Sequence, residues 1–209
     1  MKEEIVNKIF IGGFGGTGSR VITEIFEAFG YYIGREIGGN SLDFGKGKFV
    51  GAFDRSWRVK NFNEVIKFIK DNLKNSDRFA IKHGHFMFIN DVLKENFPGC
   101  KTVYIMRHPI DMAVKNQYKP HCKYSNIKCN DLDGKIKYYI NESIKSCEQS
   151  DLIIKYEDLC VDLENQLKII KQFIGDNTLF LPKINIKPSS STGKQVHLYD
   201  KYDVSMLGY

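Results

Sequence analysis

Three segments of the sequence carry residue types that bind anions or move protons. The first is a glycine-rich stretch at 12–18, where five of seven residues are glycine, and it is followed by Ser19 and Arg20. The second reads KHGH at 82–85, and the third is Arg107, directly after the apolar run KTVYIM. Glycine loops present backbone N–H groups to anions, arginine binds phosphate through a fork of donors, and histidine titrates near neutral pH. Together these types predict chemistry on an anionic ligand such as a phosphate.

The loop at 13–18, GFGGTG, fits two known nucleotide-binding patterns only in part. It matches the G-x-G-x-x-G fingerprint of dinucleotide-binding oxidoreductases. That site also needs an acid at the end of a second strand about twenty residues on, and no strand pattern leads to the candidate, Asp43. The kinase-type P-loop needs Lys and then Ser or Thr after its last glycine, where this chain has Ser19 and Arg20.

The interpretation that remains for residues 13–18 is an anion-binding loop at the start of a helix. The alternative is a glycine-rich turn that binds no ligand. Backbone N–H groups at a helix N-terminus can surround a phosphate whatever the rest of the nucleotide is. The loop contacts expected with an anion come from Gly15, Gly16, Thr17, Gly18, Ser19 and Arg20.

Strand and helix patterns alternate along the chain and place these segments. Short β-branched and aromatic runs predict strands at 8–12, 79–82, 101–106 and 151–155, and a further short strand near 49–52 within an aperiodic region 31–58. Apolar residues at helical spacing predict helices at 21–29, 61–73, 87–96, from Pro109 onward, and at 134–146 and 163–174, before an irregular tail from Pro182. This alternation predicts a parallel sheet with helices on its faces. Because ligands bind at the carboxyl edge of such sheets, the three segments, which all follow strands, are expected to meet there.

Composition limits the class of protein. The chain has 209 residues, 42% hydrophobic and 27% charged, which predicts one soluble domain over 1–209. Its formal charge of +6 suits an anionic ligand better than dedicated nucleic-acid binding. The N-terminus MKEEIVNK lacks signal-peptide character, and no run approaches the roughly 18 apolar residues of a membrane span.

The cysteines predict location and metal content. The five cysteines form no CxxC pair, so we expect reduced thiols in a cytoplasmic protein. His121, Cys122 and Cys129 lack a fourth ligand and zinc-type spacing, so no metal is expected.

Downstream blocks add a family resemblance. Residues 80–114 read AIKHGHFMFINDVLKENFPGCKTVYIMRHPIDMAV, which resembles the middle of sulfotransferases that use 3′-phosphoadenosine 5′-phosphosulfate (PAPS). A strand there ends in Lys and a nearby His, and a later strand has the form K-x-x-Y-I-x-R-x-P-x-D-x-A-x-S. A second block, DLIIKYEDL at 151–159, is similar to the family's strand ending in R/K-Y-E-D-L. The glycine loop is similar to its 5′-phosphosulfate loop, and the three blocks keep the family's order over most of 8–175.

The resemblance implies a fold and a donor site. The fold would be α/β, a three-layer parallel sheet flanked by helices, of the P-loop-like sulfotransferase type. The glycine loop would bind the 5′-phosphosulfate, and Arg107 the 3′-phosphate, unless Arg107 only forms a surface ion pair with Asp111. Lys115 replaces the serine that usually joins Arg107. Lys194 resembles part of the family's late basic loop over the nucleotide.

The resemblance also implies a reaction, the transfer of a sulfuryl group from PAPS to a hydroxyl, or an amine, of a small molecule or carbohydrate. Lys82 is the matching cation, and the base would be His83 or His85. Counted back from Arg107, the family's histidine position falls between them, on Gly84. Both histidines are expected on one face of an extended strand. His85 is slightly favoured, and both stay open.

One departure concerns the loop. Family members usually carry Lys or Arg at the position of Gly16, and Arg20 or Lys82 could compensate for its absence. The rival hypotheses are a nucleotide-binding protein of the same fold without turnover, and an NAD(P)-dependent oxidoreductase using GFGGTG. The acceptor pocket is expected from 31–60 and 116–135, whereas the acceptor itself and the oligomeric state are not indicated.

Overall fold

A four-stranded parallel sheet forms the centre of the fold. A computed structural model describes residues 5–39, 42–45, 61–115, 131–186 and 199–209. The strands are β1 Lys8–Gly12, β2 Phe79–Lys82, β3 Lys101–Met106 and β4 Leu152–Lys155. They lie in the order β2-β1-β3-β4, and all three pairings are parallel. The predicted α/β fold with a parallel sheet is confirmed.

Helices follow the strands and cover the sheet. They are α1 Ser19–Ala28, α2 Arg35–Gly38, α3 Phe62–Leu73, α4 Asn90–Asn96, α5 Pro109–Lys115, α6 Leu132–Gln149, α7 Tyr156–Val161 and α8 Leu163–Ile174. Short 3₁₀ helices span Gly84–Phe88 and Ser205–Leu207. In the described ranges, no helix combines the length and the apolar composition that a membrane span requires.

The alternation of side chains along the strands builds two apolar layers. Ile9 and Ile11 of β1 point into one cluster with α1 and α8, whereas Phe10 points the other way, into a cluster with α3 and α4. On β3, Tyr104 and Met106 pack towards α6. Each fully buried side chain of this size stabilises the fold by roughly 1.5–3 kcal/mol.

Local signals fix the ends of several helices. The side chain of Asn61 accepts a hydrogen bond from the Glu64 N–H at the start of α3. Asp131 caps α6 in the same way, with 2.8 Å between its Oδ1 and the Gly134 nitrogen. These contacts satisfy N–H groups that the first helical turn leaves without partners.

The strand order creates a reversal point between β1 and β3. The chain leaves β1 towards β2 on one side, and it leaves β3 towards β4 on the other. In open α/β sheets, ligands bind in the crevice at such a point, outside the carboxyl ends of the strands. The segments at this crevice are the glycine loop after β1 and Arg107 after β3.

The structure corrects the predicted elements in several places. The helix predicted at 134–146 is longer, Leu132–Gln149, and α2, α7 and the Ser205–Leu207 turn were not predicted. These three are short, so they offer too few residues for a periodic pattern. The strand predicted at 49–52 lies outside the described residues.

The predicted extended strand through His83 and His85 is wrong. β2 ends at Lys82, and the chain turns at once into the 3₁₀ helix. His83 accepts a hydrogen bond from the His85 N–H at 3.3 Å, which favours the turn locally. Gly84 then lies against the loop, since a Cβ on it would be 3.1 Å from the Gly13 carbonyl oxygen.

Candidate functional site at the carboxyl edge of the sheet

The glycine loop is held closely between β3 and α7. Gly18 is the N-cap residue just before α1, and its φ of 89° is a left-handed conformation that glycine adopts without strain. A Cβ on Gly18 would lie 2.9 Å from Tyr156 Cε2 and closer still to Cδ2. Part of the glycine content therefore serves packing, whereas Gly15 and Gly16 are exposed.

The start of α1 suits an anion. Its first turn contains no acidic residue, so no carboxylate competes with a ligand there. Ser19 is partly exposed and Arg20 is exposed. Thr17 differs, because it is 1% exposed and its hydroxyl donates to the Phe14 carbonyl at 2.8 Å. Thr17 therefore shapes the loop from inside, and its backbone N–H also donates to the Phe14 carbonyl, at 3.2 Å.

Lys115, at the end of α5, reaches the glycine loop. Its Nζ donates to the Gly16 carbonyl oxygen at 3.3 Å and would lie 3.3 Å from a Cβ on Gly16. The family resemblance placed Lys115 in the position of a residue that joins Arg107 at a 3′-phosphate. The structure puts its ammonium group at the very loop position that lacks a basic residue.

Arg107 is the largest fully buried side chain of the described residues, with 1% of its surface exposed. Its guanidinium carbon lies 5.4 Å from the centre of the Tyr156 ring, and its Nε lies 4.0 Å from Glu157 Oε1. The predicted alternative, a surface ion pair, does not describe a side chain buried to this degree. Guanidinium stacking on an aromatic face is favourable and leaves the edges of the fork for hydrogen bonds.

Tyr156 links the glycine loop with Arg107. One side of its ring lies against Gly18 of the loop, and its face lies under Arg107. The KYEDL block, recognised by resemblance alone, thus has a physical role. It seats Arg107 beside the loop.

The end of the chain folds back over this part of the site. Tyr199 stacks on His108, with ring centroids 3.9 Å apart, and its hydroxyl donates to Asp111 at 3.2 Å. Tyr209 donates to Glu157 at 3.0 Å. Burial lowers the pKa of His108 to about 4, against the opposing charge of Asp111. The sequence offered no local signal for these contacts.

The KHGH segment lies on the other side of the glycine loop. Lys82 is 5% exposed, and its Nζ lies 3.0 Å from Asp43 Oδ1. The rings of His83 and His85 stack, with centroids 4.8 Å apart and Nδ1 atoms 3.1 Å apart. Burial, and secondly the charge of Lys82, lower the pKa of His83 to about 4.

The structure therefore brings most predicted site residues to one edge. The loop contacts Lys115 directly, meets Arg107 through Tyr156, and packs against the histidine turn through Gly84. Lys194 lies outside the described residues, as do the three residues considered for zinc. In the described part of the chain, no group of three or more His, Cys, Asp or Glu side chains could hold a metal ion.

Comparisons with known proteins identify the fold. No family model matches the chain, and no curated protein matches it in sequence. A sulfotransferase from Alicyclobacillus acidocaldarius superposes with a TM-score of 0.52 at 11% identity, over 98% of this chain and 94% of that one. Mouse sulfotransferase SULT7A1 complexed with PAP gives 0.48 at 17% identity, over 83% of this chain and 60% of that one. STF9 from Mycobacterium avium gives 0.49 at 9% identity, over 84% and 65%.

The chain thus spans less than two thirds of the length of the mouse and Mycobacterium avium proteins and nearly all of the Alicyclobacillus one. The Alicyclobacillus superposition covers the whole parallel sheet and its flanking helices at low sequence identity, so it bears on the fold alone. The chain has the sulfotransferase fold.

Proposed function

We propose that this chain, as a single domain over 1–209, transfers a sulfuryl group from PAPS to a hydroxyl, or an amine, of a small-molecule or carbohydrate acceptor. One observation carries the proposal. A buried, permanently charged arginine sits beside a phosphate-type loop, at the reversal point of a parallel sheet, with one tyrosine ring touching both.

The two elements fit the two charged ends of the donor. The loop N–H groups, Ser19 and Arg20 would bind the 5′-phosphosulfate at the start of α1. Arg107 would bind the 3′-phosphate, a group that ATP and NAD lack, through its fork of N–H donors. Because only 1% of Arg107 is exposed, the side chains that cover it would have to shift for a phosphate to reach its N–H donors.

Lys115 has a different role in this proposal from the one its sequence position implied. Its ammonium group at Gly16 favours the 5′ end of the donor, where most family members carry a basic loop residue. A charge there stabilises the leaving phosphate, which becomes more negative during transfer. Lys194 remains a predicted contact to the nucleotide.

The reaction itself requires one base, and cations near the oxygen that bridges sulfur and phosphate. In a sulfuryl transfer the S–O bond to the phosphate breaks while the acceptor oxygen bonds to sulfur and loses its proton. PAPS, when bound, supplies the sulfuryl group. His83 or His85 would take the acceptor proton, and Lys82, whose charge is shared with Asp43, would assist at the developing negative charge.

The oxidoreductase alternative loses support from the sheet. The strand beside β1 that should end in a ribose-binding acid ends in Lys82, and Asp43 pairs with that lysine. The non-catalytic alternative shares every donor contact, so only turnover separates it from the enzyme.

The described cysteines Cys100, Cys147 and Cys160 are free thiols, which supports the proposed cytoplasmic location.

The proposal is tested with ligand-dependent melting and then with turnover. We expect 3′,5′-adenosine bisphosphate (PAP) to raise the melting temperature, with smaller shifts for 5′-AMP, ATP and NAD, because a ligand stabilises the native state in proportion to occupancy. Transfer from PAPS would then be measured with 4-nitrophenol, N-acetylglucosamine and an arylamine as probe acceptors. A shift with NAD alone would overturn the proposal, and binding of PAP without transfer to any acceptor class would establish the non-catalytic alternative.

A further inference from the structure

The two histidines of the KHGH turn form an asymmetric pair. His83 and His85 are each 9% exposed, and their rings stack at an angle of 27°. His83 Nδ1 lies 3.3 Å from the backbone nitrogen of His85 and 3.1 Å from His85 Nδ1. One nitrogen of His83 therefore faces two nitrogens of His85.

The roles of these nitrogens follow from what each can donate. A backbone N–H is only a donor, so His83 Nδ1 must be an acceptor and carries no proton. A neutral His83 then holds its proton on Nε2. The remaining contact, between the two Nδ1 atoms, needs a donor, and that donor is His85 Nδ1–H. A neutral His85 with its proton on Nδ1 has its lone pair on Nε2.

We propose that His83 is a positioning residue that fixes His85 as the Nδ1–H tautomer, so that His85 Nε2 is the base of the transfer. The role of His85 as a base rests on the proposed function. The tautomer assignment rests only on the contacts between His83 and His85. It gives different roles to two histidines that the sequence left open, with His85 slightly favoured.

The surroundings keep His83 in the accepting form. Burial and the charge of Lys82 hold its pKa at about 4, so it stays neutral at physiological pH. The ion pair of Lys82 with Asp43 lies on one side of the turn, and Phe86 and Phe88 contact the rings of His83 and His85. When His85 takes a proton on Nε2, its Nδ1–H continues to donate to His83.

A neutral partner suits an anionic donor. A carboxylate in the place of His83 would hold His85 equally well, but it would bring a negative charge towards the phosphosulfate. His83 supplies the same acceptor geometry without that charge, and this explains why a second histidine, rather than an acid, precedes the base.

The tautomers can be measured directly, without donor or acceptor. Long-range ¹H–¹⁵N spectra of the full-length chain with labelled histidine assign each ring nitrogen as protonated or not. We expect His85 as Nδ1–H and His83 as Nε2–H at neutral pH. His85 found as the Nε2–H tautomer, or His83 found charged, would overturn the proposal.

Two variants extend the test. His83→Asn places an amide oxygen where Nδ1 was, so it should keep both hydrogen bonds and the His85 tautomer. His83→Phe keeps the ring shape but offers no acceptor, so the Nδ1–H form of His85 should cease to dominate. Should the phenylalanine variant not fold, the wild-type and asparagine spectra still decide, because loss of the tautomer in the asparagine variant contradicts the proposed contact.

Kinetics link the pair to the reaction. With PAPS and a probe acceptor that the wild-type chain sulfates, His83→Phe should lower kcat about 10–100-fold, since a misoriented base loses much of general-base catalysis. The KM for PAPS should stay unchanged, and His83→Asn should restore most of the rate. Equal rates in wild type and His83→Phe would overturn the inference while leaving the proposed function intact. Failure of PAP to bind would overturn the proposed function and leave only the tautomer assignment standing.

Discussion

Replacing Gly18 with alanine should strain the loop in two separate ways. The φ of 89° is a left-handed conformation that costs an L-residue about 1–2 kcal/mol. The new Cβ would also lie 2.9 Å from Tyr156 Cε2, within a packed aromatic contact. Forcing a methyl group into such packing costs about 1–3 kcal/mol. We therefore expect Gly18→Ala to lower the free energy of unfolding by about 2–5 kcal/mol.

Two other glycines provide matched controls. Gly30 has a φ of 84°, but a Cβ there would meet nothing within 4 Å, so Gly30→Ala isolates the backbone strain. A Cβ on Gly15 would likewise meet nothing within 4 Å, and its φ is not left-handed. Gly15→Ala should change stability by less than about 0.5 kcal/mol. Urea unfolding followed by far-UV circular dichroism gives the three values under identical conditions.

The same change should reach the donor site. The Arg107 guanidinium lies over the face of the Tyr156 ring. A methyl group on residue 18 that displaces this ring should therefore move the guanidinium as well. Gly18→Ala should weaken PAP binding more than Gly30→Ala does. A loss of stability in Gly18→Ala no larger than in Gly30→Ala would refute the assigned contact with Tyr156, and equal PAP affinities would refute its link to Arg107.

Three further predictions concern acid, charge and the C-terminal segment. Because burial lowers the pKa of His83 from 6.5 to about 4, the unfolded chain binds more protons between those values. This contribution to stability is fully present above pH 6.5 and is lost as the pH falls to 4. Between pH 7 and pH 5 the loss of this His83 contribution lowers the free energy of unfolding by about 2 kcal/mol. Urea unfolding of His83→Phe should lack this part of the pH dependence. Lys115→Ala should weaken PAP binding about fivefold in calorimetry. Lys145→Ala, on the exposed face of α6, is the control and should leave PAP affinity unchanged. Equal losses of PAP affinity in the two variants would contradict the position of Lys115 at the loop. Tyr199→Phe removes the hydrogen bond to Asp111 and should lower the free energy of unfolding by about 1 kcal/mol, and an unchanged urea midpoint would contradict that contact.

The sequence predicted the elements whose signals are local. The buried runs at 8–12 and 101–106 gave two strands with their observed bounds, and Pro109 marked the start of α5. The parallel order followed from the alternation of strands and helices, and that order put the loop and Arg107 at one edge.

Contacts between distant residues could not be predicted. The Lys115 ammonium reaches a loop 99 residues away, and Tyr199 returns to Asp111 across 88 residues. No local pattern encodes either contact, because both depend on how the helices and the C-terminal segment pack. Tyr156 was recognised as part of a motif, but its place between the loop and Arg107 depends on α7.

The histidine turn shows a local signal that was outweighed. Both histidines were expected on one face of an extended strand, yet Gly84 packs against the Gly13 carbonyl, and the His83 side chain accepts a hydrogen bond from the His85 N–H within the turn. These contacts end the strand at its last ladder pair, Ile11 with Lys82.

The central claim is that Arg107 and the glycine loop form a site for a nucleotide with a 3′-phosphate. Calorimetric titration of PAP and 5′-AMP into the wild-type chain, Arg107→Lys and Arg78→Lys tests it most directly. Arg78 is the matched control, since it also lies over a tyrosine ring, 4.4 Å from the centre of Tyr31, with an acidic partner, but it precedes β2 at the opposite edge of the sheet.

We predict that PAP binds the wild-type chain at least about tenfold more tightly than 5′-AMP does. Arg107→Lys should lose about 10–100-fold in PAP affinity, because the lysine cannot form the paired hydrogen bonds of the guanidinium. Arg78→Lys should bind PAP as the wild type does. Equal affinity for PAP and 5′-AMP, or equal losses in the two lysine variants, would contradict the assignment of the donor site.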